Sequence, residues 1–210
     1  EGSRNLHHIT PKPSMVMAVK KADMIIRLGM QQDAWIDGLI QAARNADIFY
    51  GKPGYLDASA MIRKLEVPSG NIDKRLGDVH KHGNPHYWLD PRNGIVIAKQ
   101  IKDRLCVIDP KNSATYEENY QRFSTDLTSR IQQWQLRLAP LSETRFITYH
   151  KIWPYFFEAF GLTSMGELEP LPGIPPTTKH LATLKESARS LSTPVCVLSA
   201  HFYPDYVGHS

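Results

Sequence analysis

Short apolar runs alternate with stretches of helical periodicity along most of the chain, which is typical of parallel β–α units. The runs predict strands at Met24–Gly29, Ile48–Tyr50, Arg145–Tyr149 and Val195–Leu198. The helical stretches before position 110 are residues 14–22, the turns around 35–40 and residues 93–105; two more follow at 154–160 and 177–190. Ser14 and Asn93 are the predicted caps of the first and third of these helices. The pattern predicts an α/β fold.

One segment breaks this alternation, between Gly51 and Pro85. It is rich in Gly, Pro, Asn and Asp, which favours an irregular excursion. A short helix is predicted within it near Ala58–Leu65.

The strongest periodic signal is a stripe of large apolar side chains at steps of three and four residues, which predicts one long helix. The stripe consists of Tyr116, Tyr120, Phe123, Leu127, Ile131, Trp134 and Leu138. Asn112 or Ser113 begins this helix and Pro140 ends it. A helix over residues 113–138 spans roughly 39 Å at ~1.5 Å per residue. That length suits either a core helix or a rigid connection between two lobes.

Composition bounds the class of protein without identifying it. The 210 residues are 41% hydrophobic and 22% charged, enough for one substantial core or two small ones. The net charge is +4, but Lys and Arg are scattered along apparent helices, so we expect no nucleic-acid partner. No run approaches the ~18 apolar residues that span a bilayer, and the first five residues do not resemble a signal peptide.

The two cysteines lie in separate apolar stretches, Cys106 at the end of a helix and Cys196 within a strand. Both are expected to be small buried side chains in their own cores. A disulfide between them is not favoured, and neither has a second Cys or His at the spacing of a zinc site.

The histidines carry the candidate chemistry. His86 lies in a stiff turn between Pro85 and Pro91, while His7 and His150 also stand where an extended segment gives way to a Pro-marked turn or helix. Imidazole is the commonest neutral metal ligand, and a zinc site needs three or four such groups. A histidine at a strand end is also typical of a hydrogen-bonded structural residue, so spacing alone leaves both interpretations open.

Six ordered segments resemble the metal-binding solute-binding proteins of bacterial ABC importers, which deliver zinc or manganese to a membrane permease. The segments are His7–Ser14, Lys21–Gly29 with Trp35–Leu39, Gly77–Pro91, Asp109–Pro110 with Tyr116 and Asn119, Tyr149–Phe156, and Glu169–Leu181. The resemblance covers most of residues 7–198.

The resemblance implies two α/β lobes with parallel sheets, joined by the long rigid helix, with a metal cleft between them. The implied lobes are residues 1–112 and 141–210, with the linking helix at 113–140. The first lobe lacks the βα unit that the family has before it, and the second stops short of the family's end. A naturally short homologue, a fragment and a chain whose ends are not represented remain open.

The resemblance also implies the ligands. His7 and His86 are the metal ligands expected from the first lobe, and His150 is the one expected from the second. A histidine at the third position resembles the zinc-preferring members, since members with a carboxylate there lean towards Mn²⁺. Thr10 stands where the family often has a Glu that orients the site. The family's acidic fourth ligand falls beyond this chain, and His201, Asp205 and His209 are expected to be ordinary terminal residues.

Other residues near these segments are expected to play supporting or structural parts. His80 and His82 are expected to be solvated loop histidines, His180 a structural histidine, and Glu167 and Glu169 turn carboxylates. Asp78 and Asp90 are candidates to accept hydrogen bonds from the ligand imidazoles. Trp88, Trp153 and Tyr155 are candidates to wall the site.

The resulting hypothesis is an extracytoplasmic binding protein, not an enzyme, that captures Zn²⁺ or, as a second choice, Mn²⁺. We expect a monomer, either periplasmic or anchored at the cell surface, that passes the ion to an ABC permease. A surface adhesin and a zinc chaperone on the same fold are the alternatives. A zinc hydrolase is less favoured, because no carboxylate accompanies a ligand as a general base in the manner of HExxH.

Overall fold

The computed structural model describes residues 10–69, 81–169, 171 and 175–200. Its helices are α1 (Pro13–Lys20), α2 (Ile36–Ala43), α3 (Pro91–Ile108), α4 (Ser113–Leu138), α5 (Pro154–Phe160) and α6 (Thr178–Arg189). Its strands are β1 (Ile25–Arg27), β2 (Tyr55–Asp57), β3 (Arg145–Thr148), β4 (Thr163–Glu167) and β5 (Val195–Leu198). All the strand pairs are parallel, which confirms the predicted α/β class.

The chain divides into two compact units. The first contains residues 1–63 and 92–129, and the second contains residues 64–91 and 130–210. In the first unit, β1 pairs with β2, so that Ile26 lies opposite Leu56. The sequence-based boundaries put residues 64–91 in the first lobe instead. Hydrogen bonds from this segment to residues 151 and 155 hold it in the second unit. The predicted lobes and linking segment stay a prediction.

The sheet of the second unit has the order β4-β3-β5, with β3 in the centre. Successive side chains of β3 point to opposite faces. Phe146 packs with Phe157 of α5 on one face, while Ile147 packs with Leu184 of α6 on the other. A strand covered on both faces reads as a continuous apolar run, which is why the sequence predicted it correctly.

Helix α4 has the bounds predicted from the sequence, residues 113–138. Its striped face is the less exposed one, although Phe123 is 47% exposed and Ile131 is the one buried residue among its 26. A helix so exposed is not a core helix. Among the described residues, no helix is both long and apolar enough to cross a membrane.

Several local predictions were wrong. Residues 48–50 are not a strand, because Ile48 ends the 3₁₀ turn Ala46–Ile48, and the strand lies further on, at β2. Residues 58–62 form turns instead of a helix, and β4 was not predicted. The cap of α1 is Lys12, because Pro13 supplies the first helical residue in place of a Ser14 cap. Cys196 is exposed on the edge strand β5; both cysteines are free, as expected.

Candidate metal site

The turn that carries His86 is built on Asn84, whose side chain is 8% exposed. Its Nδ2 donates to Glu66 Oε2 at 3.0 Å and to the Lys151 carbonyl oxygen at 2.8 Å. Its Oδ1 accepts from the backbone N–H of His86 at 3.0 Å and lies 2.9 Å from His86 Nδ1. A primary amide has two donor hydrogens and two acceptor lone pairs, and Asn84 uses all four.

This network fixes the tautomer of His86. Both neighbours of Asn84 Nδ2 are acceptors, so the amide must present its oxygen to the imidazole. The imidazole then carries its hydrogen on Nδ1, because an unprotonated Nδ1 would face another acceptor. In the neutral ring the lone pair is therefore on Nε2. A ligand histidine is commonly oriented for metal binding in this way.

His150 follows β3 directly and has a corresponding partner. Its Nδ1 lies 2.6 Å from Glu169 Oε2, and the two side chains are 18% and 11% exposed. The carboxylate can only accept when ionised, so Nδ1 of His150 also carries hydrogen and the neutral ring has its lone pair on Nε2. A carboxylate behind a ligand histidine fixes the ring and makes it more basic towards a metal ion.

Strand pairing brings Glu169 to His150. In the parallel pairing of β3 with β4, Thr148 lies opposite Glu167. The same pairing of residues continues past the ends of the two strands. The backbone N–H of Glu169 donates to the Tyr149 carbonyl oxygen at 3.0 Å. Residues 150 and 169 consequently leave the sheet side by side. Glu169 is therefore a hydrogen-bond partner of the candidate ligand His150, a part that the sequence did not predict.

The two imidazoles are neighbours. Their centroids are 6.1 Å apart and their planes are inclined by 82°. With Zn–N bonds of about 2.0–2.1 Å, two imidazoles on one tetrahedral ion have ring centroids roughly 5–5.5 Å apart. The observed 6.1 Å is wider, so the two rings would have to approach each other by roughly 1 Å to share one ion. Trp88 contacts His86, with the ring centroids 5.4 Å apart.

A buried tyrosine supports the turn from behind. The hydroxyl of Tyr155, a residue 3% exposed, donates to the Asn84 carbonyl oxygen and accepts from the Leu65 N–H, both at 3.0 Å. Lys151 pairs with Glu66 Oε1 at 2.6 Å. Burial lowers the pKa of Lys151, but the hydrogen bond and charge of Glu66 outweigh burial and raise it overall. Glu66 thus links Lys151 to the amide that orients His86.

His7, the third predicted ligand, lies outside the described residues, as do His80 and Asp78. Within the part of the chain that the structure describes, no group of three His, Cys, Asp or Glu side chains is placed to hold a metal. The structure therefore brings together two of the three predicted ligands and leaves the ligand set a prediction.

Two neighbouring groups serve other purposes. His180 Nε2 donates to the Glu167 carbonyl oxygen at 2.8 Å, in agreement with the expected structural part. The pKa of the Glu167 carboxyl is raised, chiefly because burial disfavours its charged form.

Sequence reasoning missed Asn84 and Glu66 as partners of the site. The signal for Asn84 was present, since an Asn two residues before a histidine readily accepts from the backbone at that position. Glu66 gave no such signal, because it lies 18 residues from Asn84 and its backbone is in the left-handed region with φ of 54°.

Comparison with known proteins places this geometry in context. A family model described as zinc-uptake complex component A, periplasmic (ZnuA), matches residues 1–207. The ZnuA protein of the high-affinity zinc uptake system of Brucella abortus (strain 2308) is 30% identical over 114 residues, which is 54% of this chain and 34% of that protein. The manganese ABC transporter substrate-binding lipoprotein PsaA of Streptococcus pneumoniae is 26% identical over 194 residues, covering 90% and 59%.

Solved structures of similar proteins share the fold of this chain. A crystal structure of ZnuA is 25% identical with a TM-score of 0.70, covering 90% of this chain and 67% of that one. The structure of a Zn(II)-bound AdcAII variant of Streptococcus pneumoniae is 23% identical with a TM-score of 0.71, covering 94% and 70%, and shows a shared fold. The chain spans about a third to three fifths of the length of the curated relatives compared above. Since the family model covers nearly the whole chain, this protein belongs to the ZnuA family, described as zinc-uptake complex component A.

Proposed function

We propose that this chain captures Zn²⁺ through Nε2 of His86 and Nε2 of His150, with His7 as the third ligand. The observation that carries the proposal is the pair of oriented imidazoles. Each has an acceptor at Nδ1, and their centroids are 6.1 Å apart. Two neighbouring rings held as the same tautomer, each with its lone pair on Nε2, support the proposal of one shared ion.

The donor set favours zinc over manganese. Imidazole nitrogens suit the borderline Zn²⁺, whereas Mn²⁺ prefers oxygen ligands. Glu169 supports this choice, because its carboxylate is engaged with His150 Nδ1 at 2.6 Å and acts on the metal through that ring. The relatives include proteins named for zinc and for manganese, so the choice of metal rests on these donors.

The biological role follows from the family. We infer that the whole protein works outside the cytoplasm, in the periplasm or at the cell surface, as a monomer that passes zinc to an ABC permease. The names of the relatives support this role, since they describe zinc uptake systems and ABC transporter substrate-binding lipoproteins. Neutral imidazole is the form that binds metal, so affinity is expected to fall in acid as protons compete with the ion.

Calorimetric zinc titration of the chelator-stripped chain tests the proposal. One zinc per chain is expected, and His86→Ala and His150→Ala should each weaken binding at least 100-fold. His180→Gln is the matched control, because His180 bonds to a backbone carbonyl and lies outside the proposed ligand set. Wild-type affinity in both alanine variants would overturn the proposal. Tighter binding of Mn²⁺ than of Zn²⁺ would overturn only the choice of metal.

A further inference from the structure

A cavity of about 520 Å³ lies in the second compact unit. Three of the four tryptophans of the chain line it, namely Trp88, Trp134 and Trp153. Phe156, Phe160 and three aliphatic side chains complete its apolar wall, and Arg137 is its one charged lining residue. Pockets of roughly 300–1,000 Å³ with aromatic walls and few polar groups are the usual sites of small organic ligands.

The aromatic walls pack against one another. Phe156 packs edge-on against Trp153 at 5.6 Å and in a tilted arrangement against Phe160 at 4.9 Å. Trp153, Phe156 and Phe160 also rest on the buried Phe146–Phe157–Leu162 cluster of the sheet. Even so, no residue lining the cavity is fully buried, and Trp88 is 36% exposed. Five aromatic rings of this cavity remain partly in contact with water. An apolar ligand that covers them would lower the free energy by removing this surface from water.

Arg137 defines the polar end of the ligand. Its side chain is exposed near the end of α4, and it makes no hydrogen bond or ion pair with the part of the chain that the structure describes. A guanidinium at the rim of an apolar cavity can bind a carboxylate through two parallel hydrogen bonds. We propose that this cavity binds a small aromatic molecule that carries one carboxylate, with its rings between the tryptophans and its carboxylate on Arg137.

The cavity shares Trp88 with the surroundings of His86, but neither imidazole lines it, and the proposal is tested on the chelator-stripped chain. The probes are biphenyl-4-carboxylate and its neutral analogue biphenyl-4-methanol, followed by calorimetry and saturation-transfer NMR. The carboxylate should bind at least about fivefold more tightly than the alcohol, and Arg137→Gln should remove that preference. Arg189→Gln, on an exposed arginine of α6 outside the cavity, is the matched control and should bind as the wild type does.

A second variant removes the cavity itself. Leu138→Trp adds a ring at the lining position next to Arg137 and should abolish binding of both probes while the unfolding temperature stays near that of the wild type. Equal affinity for the two probes would overturn the carboxylate assignment, and binding of neither would overturn the site. A chain that sediments as a dimer, and whose tryptophan emission changes on dilution, would show that a second copy covers the cavity and would also overturn the proposal.

Discussion

Replacing Asn84 with Asp exchanges the amide NH₂ for a carboxylate oxygen. A hydrogen-bond donor in the turn that carries His86 then becomes a charged acceptor. The substituted side chain still accepts from the imidazole, but it presents an oxygen where Nδ2 donated to Glu66 at 3.0 Å and to the Lys151 carbonyl oxygen at 2.8 Å. Two carboxylates then lie in contact. Asn84→Asp is therefore expected to destabilise the protein more than Asn84→Ala, although it conserves shape.

The magnitude follows from the distance. Two unit charges at 3 Å repel by about 5 kcal/mol at an effective dielectric constant of 20. The ammonium of Lys151 and water at the Glu66 side chain, which is 34% exposed, screen part of this repulsion. We expect Asn84→Asp to cost about 2–4 kcal/mol at pH 7, and Asn84→Ala about 1–3 kcal/mol for its lost hydrogen bonds. Asn112→Ala, which removes an exposed hydrogen bond to Asp109, is the comparison and should cost at most about 1 kcal/mol.

The pH dependence of the unfolding free energy distinguishes charge repulsion from the loss of hydrogen bonds in these variants. Burial and Glu66 raise the pKa of the introduced carboxyl above its unfolded value of about 3.9. Its destabilising effect is fully present above the raised pKa and disappears as the pH falls towards the unfolded value. Urea unfolding at pH 7 and pH 5 should show the gap between the aspartate and alanine variants shrinking at pH 5. A constant gap would refute the assigned orientation of the amide.

Three further predictions test neighbouring features. Gly83→Ala should cost about 1–3 kcal/mol more than Gly51→Ala in urea unfolding, since both have positive φ but only the first would place a Cβ 2.5 Å from a backbone oxygen. Glu169→Gln should weaken zinc binding about tenfold in a chelator competition, because the amide still accepts from His150 but lacks the charge. Glu167→Gln should stabilise the protein at pH 7, with the gain shrinking as the pH falls through the raised pKa; a gain that grows in acid would contradict the assigned cause.

The sequence predicted well the elements whose signals are local. The stripe from Tyr116 to Leu138 defined α4 to the residue, because a helix needs only its own periodicity and a proline after its end. Strand β3 was predicted because both its faces are buried. Strand β4 was missed because its Thr163, Ser164 and Gly166 carry no apolar signal, and only its pairing with β3 makes it a strand.

The candidate site divides in the same way. His86 and His150 were predicted from the turns that hold them and from the family resemblance. The sequence could not predict which carboxylate contacts His150. Whether Glu167 or Glu169 reaches it depends on the register of the β3–β4 pair. A shift by one residue turns every side chain to the other face of a sheet, and no sequence pattern fixed that register here.

We expect one metal ion to bind to Nε2 of both His86 and His150 while each Nδ1 keeps its hydrogen. Nitrogen-15 NMR of the imidazoles, with ¹¹³Cd²⁺ in place of zinc, tests this directly, because a bound cadmium nucleus couples to the nitrogens that ligate it. Both rings should be Nδ1–H tautomers before metal addition, and coupling to both Nε2 atoms should appear afterwards. Coupling to Nδ1, or to neither ring, would contradict this expectation.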